Sequence, residues 1–345
     1  MSSAVKSGAP SVCVVGCGHW GKNLIRNFFE LGALYGFCDS DPARLESFRK
    51  QFPDARGYIS LEEVLADRSL QAVALASPAE QHHGMGMAAL RAGKDVFVEK
   101  PLALNPKDGV EMAEAARDFR RVLMVGHLLR YHPAIRKIQE LQSRDVFGRI
   151  EYIYSNRLSM GKIRREENAL WSFAPHDISV ILALMGEQPV QATATGGAYV
   201  QPNIADVTVS NMLFANGTRA HVFVSWLHPY KEQRLVVLGS KQMVVFEDSR
   251  PDHKLMLWDK HIEWKNGIID ASKPEGTPVE FSPEEPLGLE CKHFLECVAE
   301  RREPLTPGEE GVRVLHVLQA CQKSLQMNGE PVQVGTPAAR NIERM

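Results

Sequence analysis

Two hydrophobic periods run through the first third of the chain. Ser11-Val12-Cys13-Val14-Val15 is a short apolar, β-branched run, the pattern of a strand buried on both faces. It feeds into Gly16-Cys17-Gly18-His19-Trp20-Gly21, after which Leu24, Ile25, Phe28 and Leu31 fall at i, i+1, i+4 and i+7. That spacing puts them on one face of a helix, which Gly32 ends before a second strand over 33–38. The alternation continues with helices over 41–52 and 61–66 and an apolar strand over 71–76. Next comes a helix with Met85, Ala88, Ala89 and Ala92 as its buried stripe, stopped by Gly93. A strand over 94–98, a helix opened by Asn105 as cap and Pro106 in its first turn, and a strand over 122–125 complete the series. Strand and helix in such alternation predict a parallel, doubly wound α/β sheet.

Beyond Gly126 the period changes. A basic helix over 133–143 leads to strands over 150–156, 190–195, 207–214, 218–226, 234–238 and 243–246, with one helix, 175–185, inserted early. Ala215-Asn216-Gly217 is a hairpin signal between two of them. Short turns between successive strands predict an open, mostly antiparallel sheet of α+β type. Helices over 285–300 and 307–325 finish the chain, and 266–286, rich in Gly, Pro and Glu, is expected to be its most mobile stretch. The expected division is a dinucleotide-binding Rossmann domain over 1–126 and a substrate-binding and oligomerisation domain over 127–345. Val207, Val209, Val222 and Val224, at alternate positions, predict an apolar sheet face that a single helix layer leaves open. A homodimer or homotetramer is therefore expected.

Composition narrows the partners. The 345 residues are 44% hydrophobic and 24% charged with a formal charge of −2, so the chain has no overall bias toward nucleic acid or an anionic membrane. Residues 1–10 lack the apolar core of a signal peptide, and no apolar stretch approaches the ~20 residues of a membrane span, so a cytoplasmic protein is expected. The cysteines, at 13, 17, 38, 291, 297 and 321, form no CxxC pair and are expected as reduced thiols. His293 and Cys297 stand four apart on a predicted helix near Cys291; one such pair closes no metal site, and none is expected.

The chemistry begins at the glycine stretch. Gly16 permits a tight turn, Gly18 lets backbone approach a pyrophosphate, and Gly21 lets the helix pack on its strand, so that the helix N-terminus faces phosphate. Asp39 follows Gly21 by 18 residues, close to the ~20 at which an acid accepts from the adenosine ribose hydroxyls. Its carboxylate favours NAD over NADP, as do the following Ser40 and Asp41, although Arg44 is near in sequence. Lys100, in Glu99-Lys100-Pro101, stands where a strand ends on the cofactor edge. Burial and a neighbouring cationic ring both favour its neutral amine, the form a general base needs. His176-Asp177, expected at the start of the inserted helix, is the second candidate. A histidine exchanges protons near neutral pH, and a helix N-terminus lowers its pKa.

These stretches, with Ser77-Pro78-Ala79-Glu80-Gln81-His82 and Ala92-Gly93-Lys94, resemble the glucose-fructose oxidoreductase and inositol dehydrogenase family in order and spacing over most of the chain. The resemblance implies hydride transfer between nicotinamide and a sugar hydroxyl, with Lys100 and His176 at the reacting carbon. It adds His19, Trp20, Ser77, Pro78, His82, Glu99 and Lys100 to the expected cofactor contacts, and implies that the Lys100-Pro101 bond is cis. One departure is Ser172, where many members carry an aspartate four residues before the histidine. Trp171 to Asp177, with Ser225-Trp226-Leu227-His228-Pro229, resembles the branch acting on nucleotide-linked sugars, especially 3-dehydrogenases of UDP-N-acetylglucosamine and its uronic acid. Arg157, Lys162, Arg164 and Arg165, read as one loop entering the helix of His176, suit a pyrophosphate, or else form a solvated loop balanced by Glu166 and Glu167. Asp177 and Tyr131 join the expected substrate contacts; Tyr131 and His132 either line the sugar pocket or cap the linker helix. The expected reaction is NAD-dependent oxidation of the C3 hydroxyl of a UDP-linked N-acetylamino sugar, yielding a ketone for transamination. Its rivals are an NADP(H)-dependent keto-sugar reductase, a free sugar or inositol dehydrogenase, and a non-catalytic regulator that senses the dinucleotide.

Overall fold

The computed structural model describes residues 8–161, 163–260, 262–271 and 275–335. In chain order its elements are β1 (Val12–Val15), α1 (Gly21–Glu30), β2 (Leu34–Cys38), α2 (Pro42–Gln51), β3 (Arg56–Tyr58), α3 (Leu61–Ala66), β4 (Ala72–Leu75), α4 (Ala79–Arg91), β5 (Asp95–Glu99), α5 (Pro106–Asp118) and β6 (Leu123–Gly126). A 3-10 turn, Leu128–Tyr131, leads to α6 (Pro133–Ser143), β7 (Ile150–Met160), α7 (Ala169–Met185), β8 (Gln191–Gly197), β9 (Val207–Leu213), β10 (Arg219–Ser225), β11 (Leu227–Gly239) and β12 (Gln242–Glu247). Then come β13 (Leu255–Asp259), β14 (Ile262–Lys265), β15 (Ile268–Ala271), β16 (Gly276–Pro278), α8 (Pro286–Glu300), α9 (Gly308–Gln326) and β17 (Val332–Gln333). No helix among the described residues is long and apolar enough to cross a membrane.

The chain forms two compact units, one comprising residues up to Tyr131 with Glu284–Leu315, the other His132–Pro283 with the residues from His316 onward. The first unit holds a six-stranded parallel sheet in the order β3-β2-β1-β4-β5-β6. This is the Rossmann order, in which the winding reverses between β1 and β4. Local sequence starts its helices as expected. Asp41 caps α2 by accepting from Ala43 and Arg44 N–H, and Asn105 caps α5 by accepting from Asp108 N–H at 3.0 Å, each with proline in the first turn. The stripe on α4 differs from expectation: His82, Gly86, Met87, Ala89 and Leu90 are buried, while Ala92 is exposed. Gly86 and Ala89 are small enough to bring α4 against the sheet and α5, which turns Met85 and Ala88 partly outward.

Glu284–Leu315, which the succession of elements assigns to the second domain, belongs to the first unit. Phe294 of α8 packs edge-on to Phe28 and Phe97, and Arg301 forks onto Asp95 at 2.7 and 3.0 Å. Packing partners 197 to 266 residues away leave no trace in local periodicity.

The second unit is built on a nine-stranded sheet, β16-β13-β12-β11-β7-β10-β9-β8-β17, antiparallel except for β7 beside β10. The hairpin at Ala215-Asn216-Gly217 is present, with Gly217 at φ +87° and Asn216 accepting from Thr218 N–H. The stretch 266–286 contributes β15 and β16. The four valines do not share a face. Val222 pairs with Ser210 and Val224 with Thr208, and all four are buried on the side of α7 and of Cys321 in α9. Val207 and Val209 point the other way with Phe223, Tyr154, Val245 and Met256, all half-buried. β9 and β10 are antiparallel neighbours, so cross-strand pairing, and not the alternation within either strand, decides which valines meet.

Replacing Arg301 with Met leaves the buried Asp95 carboxylate with only the Val122 N–H as partner. We expect a loss of about 2 kcal/mol in urea unfolding, less than for a fully enclosed pair because the guanidinium is half in water. An unchanged midpoint would argue against this tie between α8 and the parallel sheet.

Candidate active site

The glycine turn lies at the carboxyl end of β1, beside the reversal in strand order. A Cβ on Gly21 would stand 1.8 Å from the Gly16 carbonyl oxygen, and one on Gly16 would stand 2.8 Å from the Ala76 backbone. At Gly18 the same position meets nothing within 4 Å, which leaves backbone open to a ligand. The first turn of α1 has no side-chain cap and no acid, so its N–H groups and positive dipole end suit phosphate. Asp39 accepts from Cys17 N–H at 2.8 Å and Asp41 N–H at 3.0 Å, and Arg44 Nη1 lies 2.9 Å from it. Burial opposes its charge, yet these donors hold the carboxyl below its usual range. These residues fit a dinucleotide: Gly18 and the α1 N-terminus for the pyrophosphate, Asp39 for the ribose.

Several expected cofactor contacts are committed to the protein. His19 is exposed. Trp20 Nε1–H donates to the Glu99 carboxylate, tying the glycine turn to the end of β5. His82, buried on α4, sets Nδ1 2.8 Å from the Pro101 carbonyl and Nε2 3.0 Å from the Ser77 carbonyl. It therefore clamps the end of β4, at Ser77-Pro78, to the segment after β5, and burial lowers its pKa. Lys100 is half-buried at the end of β5, and the Lys100-Pro101 bond is cis. Burial raises the Glu99 carboxyl to about 7, with the Trp20 hydrogen bond and the Lys100 charge opposing the shift. Glu290 on α8, 0% exposed with both carboxylate oxygens lacking hydrogen-bond partners among the described residues, is raised well above the carboxylate range by burial and then by Glu99.

In the second unit the sequence reading needs correction. His176 does not begin a helix. Asn168 caps α7 by accepting from Trp171 N–H at 3.2 Å, so Pro175 and His176 lie inside it and the N-terminal dipole does not act on the imidazole. A proline inside a helix costs ~3 kcal/mol, offset here by burial of Leu170, Ala174, Ile178 and Ile181. Ser172 lies one turn before His176 and is buried. Arg157 lies in β7, not in a loop. Its Nε and Nη2 reach Asp177 at 2.7 and 3.1 Å, Ser155 Oγ donates to the same carboxylate at 2.6 Å, and Gln233 accepts from Arg157 Nη1 at 3.1 Å. Arg157 and Asp177 thus neutralise one another. Arg164 pairs with Glu167 at 3.0 Å, Arg165 is exposed, and Lys162 lies outside the described residues.

Tyr131 packs in the core of the first unit, its hydroxyl 3.0 Å from Thr306 Oγ1. His132 caps α6, accepting from Ala134 N–H at 3.1 Å. Cys297 Sγ is 3.4 Å from His293 Nε2, which also accepts from Leu305 N–H at 2.9 Å. Sequence reasoning missed Glu290 and the buried group His127, Arg130 and Glu310. Each acid looks like an ordinary helix-surface residue until its helix is packed.

Comparison with known proteins bears on this geometry. Residues 11–127 match the GFO/IDH/MocA oxidoreductase family model, described as an NAD-binding Rossmann fold, and residues 135–245 match the GFO/IDH/MocA C-terminal domain. The chain belongs to the GFO/IDH/MocA family. Within it, the chain is 26% identical to UDP-N-acetylglucosamine 3-dehydrogenase of Acidithiobacillus ferrooxidans, over 88% of this chain and 93% of that protein. The solved structure of that enzyme is similar with a TM-score of 0.82 at 24% identity, covering 92% and 98% of the two chains. Myo-inositol 2-dehydrogenase of Thermotoga maritima is 24% identical over 91% of this chain and 95% of its own. The WlbA dehydrogenase of Bordetella pertussis, solved with NADH and UDP-GlcNAcA, has a TM-score of 0.77 at 22% identity, covering 95% and 100%. The family is one of oxidoreductases, and residues 11–127 match its NAD-binding Rossmann fold.

A carboxyl raised from 4.5 to about 7 by folding is protonated in the folded chain at pH 5 and ionised at pH 8. Its contribution to stability is present below pH 4.5 and lost as pH rises through 7. Glu99→Gln, which mimics the neutral acid and keeps an acceptor for Trp20, should raise stability by less than about 1 kcal/mol at pH 5 and by about 3 kcal/mol at pH 8. Equal effects at both pH values in chemical denaturation would overturn this.

Proposed function

We propose that the chain is an NAD-dependent dehydrogenase oxidising the C3 hydroxyl of a UDP-linked N-acetylamino sugar, UDP-N-acetylglucosamine or its uronic acid, to the 3-keto sugar. The observation that carries this reading is similarity to a UDP-N-acetylglucosamine 3-dehydrogenase across nearly the whole length of both proteins, with Lys100 at the end of β5 and His176 on α7. Lys100 takes the hydroxyl proton, and His176 assists by hydrogen bonding to the substrate. The nicotinamide, when bound, accepts the hydride from the reacting carbon. Gly16, Gly18, Gly21 and the α1 N-terminus bind pyrophosphate, and Asp39 binds the ribose. Ser77, Pro78, His82, Glu99 and Trp20 shape the wall on which the nicotinamide rests. Arg164 and Arg165 are the remaining described candidates for the sugar nucleotide's phosphates.

One observation favours a second reading. Arg44, 2.9 Å from Asp39 and partly exposed, offers a guanidinium to a 2′-phosphate, as a keto-sugar reductase using NADPH requires. A single assay tests both. UDP-N-acetylglucosamine and its uronic acid are incubated with NAD or NADP, and absorbance at 340 nm is followed. Production of NADH, with NADP at least tenfold less efficient, is expected. Lys100→Ala and His176→Ala should bind NAD normally by calorimetry and lose ~100- to 10,000-fold in single-turnover rate. Absence of turnover with every UDP-sugar, or a Lys100→Ala rate within tenfold of the parent, refutes the reading.

The same proposal includes a homo-oligomer formed through the half-buried face of Val207, Val209, Phe223, Tyr154, Val245 and Met256, with a second copy as its cover. Light scattering at micromolar concentration should give a multiple of 38.5 kDa, and Phe223→Asp should reduce it to that mass. A parent particle of 38.5 kDa contradicts this.

A further inference from the structure

The strand ends that carry Lys100 have a second layer of ionisable groups behind them, which the chemistry above leaves unused. Glu99 pairs with Gly126 across β5 and β6, so Lys100 and His127 leave neighbouring strand ends side by side, at the ~4.8 Å spacing of a sheet. His127 is 1% exposed. Its Nε2 lies 3.3 Å from Glu310 Oε2, and neither ring nitrogen makes a hydrogen bond within the described residues. Glu310, 2% exposed in the first turn of α9, faces Arg130 Nη1 at 3.3 Å through its other oxygen. Packing alone gives little reason to enclose an imidazole, a carboxylate and a guanidinium together, since an apolar trio of similar volume is often as stable or more so. Proton traffic gives one.

We propose that His127, backed by Glu310, is the group that relieves Lys100 of its proton. The inference rests on the reading of Lys100 as the base. After Lys100 takes the substrate hydroxyl proton, one N–H bond of its ammonium breaks and the electron pair returns to Nζ. The proton adds to a ring-nitrogen lone pair of His127. Glu310 faces the imidazolium so formed, and Arg130 keeps that carboxylate ionised. The reverse transfer recharges Lys100 in the direction of keto reduction, and in the direction of oxidation solvent water takes the proton from His127 before the next turnover.

The charges facing His127 come from three elements: Lys100 after β5, Arg130 in the 3-10 turn and Glu310 on α9. Burial disfavours the imidazolium most strongly; Glu310 opposes this, and Arg130 and Lys100 reinforce it. The imidazole therefore rests neutral while Lys100 is charged, and becomes a better acceptor as Lys100 gives up its proton. His127 acts through Lys100 and is a positioning residue in that sense.

The test has a spectroscopic arm and a kinetic arm. In the full chain with 13C-labelled histidine rings, the His127 resonance is assigned with His127→Gln, or His127→Asn should the first variant not fold, and followed from pH 5.5 to 9. Expected is a resonance that holds its neutral position in the parent and takes up a proton in Lys100→Met, at a midpoint at least half a pH unit higher. Adding Glu310→Gln should cancel that gain. In the kinetic arm, with NAD and UDP-N-acetylglucosamine in excess, His127→Gln should lower the steady-state turnover rate ~100-fold and displace the acid limb of its pH profile, with NAD affinity unchanged. A His127 resonance unmoved by Lys100→Met overturns the proposal, as does a His127→Gln rate within threefold of the parent. If the parent oxidises no UDP-sugar while Lys100→Met still moves His127, the functional reading fails and the proton coupling stands.

Discussion

The structure of the first unit depends on a backbone contact that admits no side chain. With the Gly16 carbonyl 1.8 Å from where a Gly21 Cβ would stand, α1 can descend directly onto the end of β1 only because both residues are glycine. Gly16 in turn lies against Ala76 and Ser77 at the end of β4. Three elements thus meet at the point where the strand order reverses. The open backbone at Gly18 and the uncapped helix end both lie at that convergence. The same crowding explains why the neighbouring polar side chains are turned to internal duty: His82 secures Ser77 and Pro101, and Trp20 secures Glu99.

Burial then sets an electrostatic tension around the strand ends. Desolvation pushes Glu99 up to about 7 and Glu290 well above the ordinary carboxylate range, and pushes His82 and His127 down. The two kinds of group act on stability with opposite signs. A histidine whose folded pKa is lowered contributes stability that is present above its unfolded value of 6.5 and lost as pH falls below it. The buried acids lose theirs as pH rises. Ionising either acid or protonating either imidazole therefore costs the folded unit stability.

The second unit follows a different economy. Asp177 is fully engaged by Arg157 and Ser155, and Asp206 accepts from Tyr199 and Val200 N–H and from the buried Trp226 indole. These charge-assisted bonds fix α7 to β7 and the segment before β9 to the end of β10. Gln322 and Ser324, near the end of α9, add bonds to Asn168 and to Ala194 N–H. The rigidity of α7 around His176 comes from these neighbours and not from its own sequence, which places a proline one residue before the histidine.

What the sequence determined by itself was local. Five of the six parallel strands, the helix cap at Asn105, the glycine turn, the acid at Asp39 and the position of Lys100 at a strand end all follow from periodicities and residue types acting within a few turns of chain. Those features need only nearest-neighbour sterics and hydrogen bonds, so they can be read along the chain. Tertiary structure alone decided the rest. It returned α8 to the first unit through Phe294 and Arg301, put Val207 and Val222 on opposite faces, and joined Arg157 to Asp177. It also buried Glu290 and Glu310 beside groups up to 191 residues away. The physical reason is the same in each case. A side chain's charge state, partner and exposure depend on what the fold packs against it, and a sequence carries that information only through contacts that form once the chain has folded.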